Sequence, residues 1–259
     1  MRLYLKFFAM HLKSRMAYKR SFFFSIVGQF MTAFTAFLVL SFLFQRFGTV
    51  KGYTYGETLL CASVTLTSFA LAESLFRGFD RFPAIFIRNA EFDRILVRPR
   101  GLIFQVLCQE IEFSRLGKLL QSLLMLGVGI SRSPVVWSAG KAALLAAMVL
   151  GGTAVFIGLF LIYAALSFFT LEGLEFMNCL TDGAREFAAY PLDVYGKDVL
   201  KFCTCVVPYA LFQYYPLTVL LGRSDRALYA CMPLLSIAFL APCLLLWFVG
   251  VRRYKSAGS

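Results

Sequence analysis

Seven ionisable side chains lie inside or beside long apolar stretches of this sequence, where charged residues are unusual. They are Glu73, Glu110, Glu112, Arg115, Lys118, Glu172 and Glu175. A charge at the depth of a lipid bilayer costs roughly 3 kcal/mol or more unless it is paired or reaches water, so such residues are candidates for lining a path for ions or substrates. The alternative is structural pairing, which Glu112 and Arg115 can achieve because residues three apart share a helix face. We treat six of the seven as candidate pathway residues: Glu73, Glu110, Glu112, Arg115, Glu172 and Glu175.

The same sequence holds no group of residues that indicates catalysis. No G-x-x-x-x-G-K-[ST] motif occurs, because the segments AGKAA and LGKLL lack the upstream glycine, so the chain itself is not expected to hydrolyse ATP. His11 is the only histidine, and no identifiable Ser or Cys could form a dyad with it. The seven cysteines, including the closest pair Cys203 and Cys205, are interpreted as small apolar residues rather than metal ligands. We predict no catalytic residue, no metal site and no cofactor bound by this chain.

The elements that must position the charged residues are predicted to be membrane-spanning helices. The chain has 259 residues, of which 59% are hydrophobic and 15% are charged, whereas soluble domains carry about 25% charged residues. Three runs without any charge cover residues 21–45, 142–171 and 227–251. Each run exceeds the roughly 20 apolar residues that cross a hydrocarbon core, and backbone groups in lipid must be satisfied within a helix. We therefore predict an all-α, polytopic membrane protein.

The net charge of +12 is explained by membrane orientation rather than by binding to nucleic acid. Lys and Arg concentrate on cytoplasmic segments of membrane proteins. The N-terminal segment 1–20, the loop 77–101 and the C-terminus together hold 15 of the 26 basic residues, so all three are predicted to be cytoplasmic. Segment 1–20 alternates apolar and basic residues near helical spacing, which favours an interfacial helix lying on the anionic inner leaflet.

Hydropathy gives the approximate course of the chain. The first span is predicted at 22–44 and the second at about 57–76, on either side of a short outer loop. An amphipathic helix that starts near residue 102 is expected to become the third span, and the fourth lies within 142–168. The last span, 228–250, returns to the cytoplasm.

The region before the last span admits two interpretations. Either 202–222 is the fifth span and 172–201 is a cytoplasmic loop, or 168–188 is the fifth span and 196–222 is a hairpin that dips in from the outer face. Two prolines within 202–222 argue against a straight helix there, because each removes a helical hydrogen bond. Broken backbone at membrane depth is tolerated where it is buried in protein. Both interpretations leave the last span unchanged, so counting membrane crossings does not choose between them.

The basic loop at 77–101 is the strongest local feature. Within it Phe92, Ile95 and Leu96 can share one face of a short helix that ends before Pro99. One interpretation is an ordinary positively charged loop at the lipid headgroups. The other is an amphipathic helix whose apolar side fits a groove on a cytosolic partner.

Three segments, in this order, resemble a bacterial family of ABC transporter permeases: AEFDRILVRPRGLIFQVL, YPLDVYGKDVLKFCTCVVPYALFQYYPLTVLLG and GVRRYKSAGS. The family belongs to the type-2, exporter-like class and includes viologen-exporter-type permeases, and the resemblance covers essentially the whole chain. It implies six transmembrane helices, an N-terminal interfacial helix at 1–20, a cytoplasmic coupling loop at 77–101 and a re-entrant hairpin at 196–222. The chain departs from the family pattern at Ala90, where Gly is usual.

The resemblance also implies partners and residue roles. It implies a multi-pass permease of the bacterial inner membrane that pairs with a second permease, identical or homologous. A separate dimeric ABC ATPase, which binds ATP and Mg, would drive export. A role in coupling to the ATPase is carried over to Glu91, Phe92, Asp93, Arg94, Leu96, Arg98 and Pro99. A role in the hairpin is carried over to Pro191, Pro208 and Pro216.

Two other functions stay open from the sequence. The first is a self-sufficient secondary transporter or channel that uses intramembrane acidic residues and needs no ATP. The second is a membrane-embedded enzyme that acts on lipids through a pair such as Glu110 and Glu112. The sequence does not identify the substrate, although Glu172 and Glu175 could meet a cationic one at the inner end of a span over 168–188.

Overall fold

The computed structural model of the protein describes residues 2–109, 111–170 and 176–254. Within these ranges the chain is helical and has no strand, apart from an isolated β-bridge between Val50 and Tyr53. Four segments are long and apolar enough to cross a membrane, and a bent pair of shorter helices makes five if it counts as one span. The four are Lys19–Phe47, Tyr55–Ile87, Ala139–Thr170 and Ala227–Arg253. The prediction of an all-α, polytopic membrane protein is confirmed, while the count of six spans stays a prediction.

The α-helices, in chain order, are α1 (Arg2–Met16), α2 (Lys19–Phe47), α3 (Tyr55–Asp80), α4 (Phe92–Leu96), α5 (Leu102–Gln109), α6 (Leu116–Arg132), α7 (Ala139–Thr170), α8 (Phe176–Asn178), α9 (Ala184–Phe187), α10 (Lys197–Cys205), α11 (Tyr209–Phe212), α12 (Tyr214–Leu220), α13 (Ala227–Ala238) and α14 (Leu240–Arg253). Short turns also occur, two of them π-helical (Pro83–Ile87 and Cys179–Gly183) and two of 3-10 type (Phe113–Arg115 and Leu192–Tyr195).

Helices α3 and α7 form the centre of the bundle. In the most apolar window of each candidate span, 72% of residues are buried for Tyr55–Ile87 and 67% for Ala139–Thr170, compared with 6% for Lys19–Phe47. Helix α3 packs against α6 and α7, and α7 also packs against α13 and α14. Because α3 is covered by protein, a charged side chain on it must find its partners inside the bundle.

Helix α6 is held closely against both α2 and α3. A Cβ at Gly117, in the first turn of α6, would overlap the carbonyl oxygen of Ile26 in α2. A Cβ at Gly56, at the start of α3, would overlap the carbonyl oxygen of Arg132 at the end of α6. Small residues permit such close approach between helices in membranes. The start of α6 therefore lies close against α2, and its end lies close against the start of α3.

The third span differs from the sequence prediction of one helix that runs on from residue 102. Helix α5 ends at Gln109, and α6 begins at Leu116 after the 3-10 turn Phe113–Arg115. Glu112 has extended backbone angles, with φ −101° and ψ 93°, and so interrupts the helix. With 17 residues, α6 is about 25 Å long, slightly short of a hydrocarbon core of about 30 Å.

The segment between α7 and α13 is made of short pieces. Helix α10 and the helical stretch Tyr209–Leu220 meet at an angle of 92°. The break contains Pro208, and Pro216 lies in the first turn of α12, where a missing N–H is tolerated. Residues 168–170, the predicted start of a fifth span over 168–188, belong to α7 instead. The rest of that span lies partly outside the described residues, and its described part is α8, a π-helical turn and α9.

Helix α1 lies against the α5–α6 break. His11 Nε2 is 3.0 Å from the carbonyl oxygen of Cys108 near the end of α5. The rings of Phe8 and Phe113 meet edge to face, with their centroids 4.8 Å apart. These contacts connect the N-terminal helix to the turn that carries Glu112 and Arg115.

Candidate functional site

Glu73 is the centre of a buried group of charges at the end of α3. It is 1% exposed, and its carboxylate contacts three basic groups. Arg77 Nη1 lies 3.1 Å from it, Arg115 Nη1 lies 2.9 Å away and Lys118 Nζ lies 3.2 Å away. An unpaired carboxylate in such a position would be very costly, and three charged donors offset this cost.

Glu112 forms the second acidic centre of this group, outside the helices. Its Oε2 lies 3.2 Å from Arg115 Nε and within 3.7 Å of the guanidinium groups of Arg77 and Arg81. Burial opposes ionisation of Glu112, but the positive charges of Arg115 and Arg81 and a hydrogen bond from Ser114 outweigh it and lower the pKa of this carboxyl group. Glu112 therefore pairs with Arg77 and Arg81 at the end of α3 from the break between α5 and α6.

We call this group the α3–α6 charge cluster. It consists of Glu73, Arg77, Asp80, Arg81, Glu112, Arg115 and Lys118, and Asp80 joins it through Oδ2, which lies 2.6 Å from Arg77 Nη1. Among the candidate pathway residues, the structure brings together Glu73, Glu112 and Arg115. Glu110, Glu172 and Glu175 lie outside the described residues.

Sequence reasoning missed part of this cluster because it ended the second span at residue 76. Helix α3 continues to Asp80, and the π-helical turn Pro83–Ile87 follows it. Residues 77–87 are therefore largely helical, not loop as predicted. The spacing of four between Glu73 and Arg77 was the available signal, since it places both side chains on one helix face.

The short helix predicted in the basic loop is present as α4, but its apolar residues do not share one exposed face. Phe92 is fully buried and Ile95 is 4% exposed, whereas Leu96 is 42% exposed. Pro99 and the basic residues of this stretch are exposed, including Arg94, Arg98 and Arg100. Glu91 and Asp93 are half-buried. Phe92 and Ile95 therefore face the interior of this chain, and the exposed surface combines arginines with Leu96 and Val97.

Phe92 belongs to a cluster of rings that joins the ends of three helices. The centroid of its ring lies 5.4 Å from that of Phe82, 5.1 Å from Phe168 and 4.9 Å from Tyr254. Trp247 packs against this group as well, with centroid distances between 4.9 and 5.3 Å to Phe79, Phe82 and Phe168. We call these six rings the aromatic cluster: Phe79, Phe82, Phe92, Phe168, Trp247 and Tyr254. It connects α4 to α3, to the end of α7 and to α14.

Ala90, which precedes α4, has a positive φ of 52°. This left-handed conformation favours glycine, because the Cβ of other residues is crowded there. It is the position where the sequence departs from the permease pattern it resembles. The chain therefore makes this turn with a residue that strains it.

A buried glutamine that the sequence did not reveal lies near Pro191, one of the prolines of the predicted hairpin. Gln213 is fully buried, and its Nε2 donates to the carbonyl oxygens of Ala188, at 2.6 Å, and Tyr190, at 2.9 Å. Pro191 follows directly and precedes the 3-10 turn Leu192–Tyr195. The amide of Gln213 therefore holds segment 188–190 against the junction of α11 and α12.

A second polar network joins three loops at the other end of α3. Arg223 donates to both oxygens of Glu57, at 2.8 and 2.9 Å, and its guanidinium carbon lies 4.1 Å from the ring centroid of Tyr53. The Tyr53 hydroxyl donates to Asp193 Oδ2 at 3.2 Å. Burial raises the pKa of both Tyr53 and Asp193 above their usual values. No sequence pattern marked these residues, because they are far apart along the chain.

Several apolar helices of membrane-spanning length, packed around a paired charge cluster, define a multi-pass helical membrane protein. A family model described as "ABC-2 family transporter protein" matches residues 30–258, and the chain belongs to this family. No curated protein and no solved structure matched the chain. Membership makes the chain a membrane permease component of an ABC transporter, and it implies association with an ABC ATPase. The resemblance noted from the sequence is confirmed at this level.

Proposed function

We propose that the chain is a permease subunit of a bacterial ABC exporter of the viologen-exporter type. It forms a translocation pathway with a second permease, identical or homologous, in the inner membrane. A separate ATPase dimer binds ATP and Mg and drives it, and the chain itself performs no catalysis. Both termini and loop 88–101 face the cytoplasm. The third span is α6, the fifth passes through α8 and α9, and the bent pair α10–α12 is a re-entrant hairpin that enters from the outer face.

This proposal rests on one observation: one side of α4 is buried in the protein and the other side is exposed. Its inner side, Phe92 and Ile95, is buried among the rings that join α3, α7 and α14. Its outer side presents Arg94 and Leu96, both exposed, and Arg98 follows. An element that is exposed on one side and rigidly packed on the other can transmit a displacement from a partner to the helices behind it.

Coupling then follows from packing. When the ATPase closes on ATP, it moves α4 through contacts with Arg94, Leu96, Arg98 and Pro99. Packed interiors are dense and move as units, so the displacement of Phe92 shifts Phe168 and Tyr254 with it. The ends of α7 and α14 tilt, and the pathway changes from inward to outward access.

The charge pairs argue against the alternative of a self-sufficient secondary transporter. Such a carrier needs an acidic group that binds and releases an ion. Glu73 is surrounded by three cationic groups. These partners occupy the carboxylate of Glu73, which suits a connection between α3 and α6 better than an ion site.

The proposal is tested with variants that change either the exposed side or the buried side of α4. The full chain is co-expressed with its ABC ATPase and purified, and both co-purification and ATP hydrolysis are measured. The double variant Arg94→Glu/Arg98→Glu is expected to lose the ATPase, because it reverses the exposed charges. Phe92→Leu is expected to keep the ATPase bound and to lower transport per ATP hydrolysed, because it loosens the ring contacts behind α4.

The matched control is Arg226→Glu, a charge reversal at an exposed arginine near the start of α13. It should leave the complex and its activity unchanged. The coupling role of α4 is wrong if the double variant co-purifies with as much ATPase as the wild type. An impermeant thiol reagent that labels Arg98→Cys from outside intact cells would contradict the proposed orientation.

A further inference from the structure

A cavity of about 410 Å³ lies beside the α3–α6 charge cluster. Its walls come from α2, α3, α6 and the segment 182–190. It opens along α2, where the lining residues Thr32, Thr35 and Val39 are exposed. Because α2 is the least buried of the candidate spans, this opening faces what surrounds the helix bundle, which in a membrane includes lipid.

The interior of the cavity is basic. The lining side chains of Arg115, Lys118 and Arg185 are 11%, 14% and 24% exposed. The lining acids are at its rim, since the side chains of Asp182 and Glu186 are 53% and 65% exposed. Glu73 lies behind the wall with its charge already shared among three cations. A negatively charged group that enters therefore passes the exposed rim acids and then contacts the more buried Arg115 and Lys118.

Two polar side chains of the cavity wall, Gln121 and Lys118, can form more hydrogen bonds than the described residues provide. Gln121 lines the cavity and is 2% exposed, and the hydrogen bond found for its amide among the described residues is a weak one to Met125 Sδ at 3.8 Å. Lys118 has Glu73 as its acceptor and lies 5.8 Å from the ring centroid of Phe69. An ammonium group has three donor hydrogens, so Lys118 can serve an additional acceptor.

The cavity also has apolar lining. Leu40 and Leu66 line it together with Ala33 and Ala36. A ligand that fits both parts must have a polar, anionic end and an apolar end. Because the cavity opens sideways along α2, the apolar end of the ligand can extend out of the cavity.

A second, polar cleft leads towards this cavity. It has a volume of about 760 Å³ and lies between α1 and the start of α2, lined by Ser14, Ser21 and Ser25 with Arg15. Gln29 lines both spaces, and its Oε1 accepts from Arg115 Nη1 at 3.4 Å. This long hydrogen bond lies between the hydroxyl-rich surface cleft and the basic cavity.

We propose that the cavity binds the anionic head of a membrane-dissolved amphiphile, with its apolar tail along α2. The head enters from the cleft between α1 and α2 past Gln29 and Arg115, while the tail stays in the lipid. Molecules of this class are the substrate of the permease, a conclusion that rests on the proposed function. The substrate is then an anionic amphiphile.

Binding is tested with the full chain alone, in nanodiscs of zwitterionic phosphatidylcholine. Radiolabelled dodecyl phosphate is the probe, and its saturable binding is measured by scintillation proximity. Unlabelled dodecyl phosphate should displace it. Dodecyltrimethylammonium, which has the same tail and a cationic head, should not, nor should inorganic phosphate, which lacks a tail.

Two variants locate the site. Lys118→Met removes one cation and leaves Glu73 paired with Arg77 and Arg115, and it should weaken binding at least tenfold. Ala36→Trp fills the apolar part without any change of charge and should weaken binding to a similar extent. The control is Lys201→Met, at an exposed lysine on α10 that does not line the cavity, and it should bind like the wild type.

The proposal is overturned if dodecyltrimethylammonium displaces the probe as well as dodecyl phosphate does. It is also overturned if both site variants, eluting as monodisperse protein, keep wild-type affinity. Displacement of the probe by inorganic phosphate at equal concentration would show that the site binds soluble anions. It would refute the proposal that the ligand must be an amphiphile. Since no ATPase is present, a negative result here is distinguishable from failure of the coupling experiment.

Discussion

The ring of Phe92 in the short helix α4 packs edge to face against Tyr254, just beyond the end of α14, with their centroids 4.9 Å apart. The two residues are separated by most of the chain, so the contact joins its first half to its C-terminal end. It also places a loop element that carries exposed arginines directly behind the last span. Any force on α4 acts on α14 through this pair.

Truncation of this ring should be costly. Phe92→Ala removes a fully buried ring from among three others, and we expect a loss of about 3 kcal/mol in the free energy of unfolding. Unfolding by denaturing detergent in mixed micelles measures it. Leu96→Ala, in the same short helix but exposed, should change stability by less than about 0.5 kcal/mol. Equal effects of the two variants would contradict the burial of Phe92.

Glycine at position 90 should stabilise the protein. Ala90 has a φ of 52°, a conformation that costs about 1 kcal/mol for a residue with a Cβ, and this strain exceeds the added flexibility of glycine in the unfolded chain. We expect Ala90→Gly to raise the free energy of unfolding by about 0.5 kcal/mol. The same substitution at exposed Ala143 in α7 should lower it by about 1 kcal/mol. Two changes of the same sign would refute the role of backbone strain.

Neutralising Glu73 should destabilise the helix bundle. Glu73→Gln leaves three basic groups without their shared carboxylate in a buried site, at a cost of about 3 kcal/mol or more in the free energy of unfolding. Combining it with Lys118→Met should cost less than the sum of the single changes, because the two residues are in contact. Glu91→Gln, at a half-buried carboxylate that lies 3.8 Å from exposed Arg94, should have little effect. Additive effects of Glu73→Gln and Lys118→Met would mean that this pair does not interact.

The lowered pKa of Glu112 predicts a loss of stability in acid. A carboxyl group whose pKa is lower in the folded state than in the unfolded state stabilises the fold above its ordinary pKa of about 4.3. This contribution disappears as the pH falls through the lowered pKa, because Glu112 becomes protonated and its pairs with Arg115 and Arg81 weaken. The midpoint of thermal unfolding should therefore differ between the wild type and Glu112→Gln at pH 7 and converge below about pH 4. A difference that is the same at both pH values would contradict this account.

Parts of the candidate site could be predicted because their signals are local. The pairing partners Glu112 and Arg115 are three residues apart, and Phe92 was marked by its place in a short apolar pattern. Other parts could not be predicted. Lys118 pairs with Glu73 across 45 residues, and Gln213 bonds to residues 23 and 25 positions away. Such pairs depend on which helices become neighbours, and a single sequence carries no local trace of that.

The sequence by itself determined that the chain is helical and belongs in a membrane. Long charge-free runs settle this, because lipid admits a backbone only when its polar groups are satisfied within the segment. Only the tertiary structure decided which charges meet, where α5 and α6 part and which side of α4 is buried. These features follow from the packing of α3 between α6 and α7, since a buried charge or ring is stable only where the neighbouring helices supply its partners.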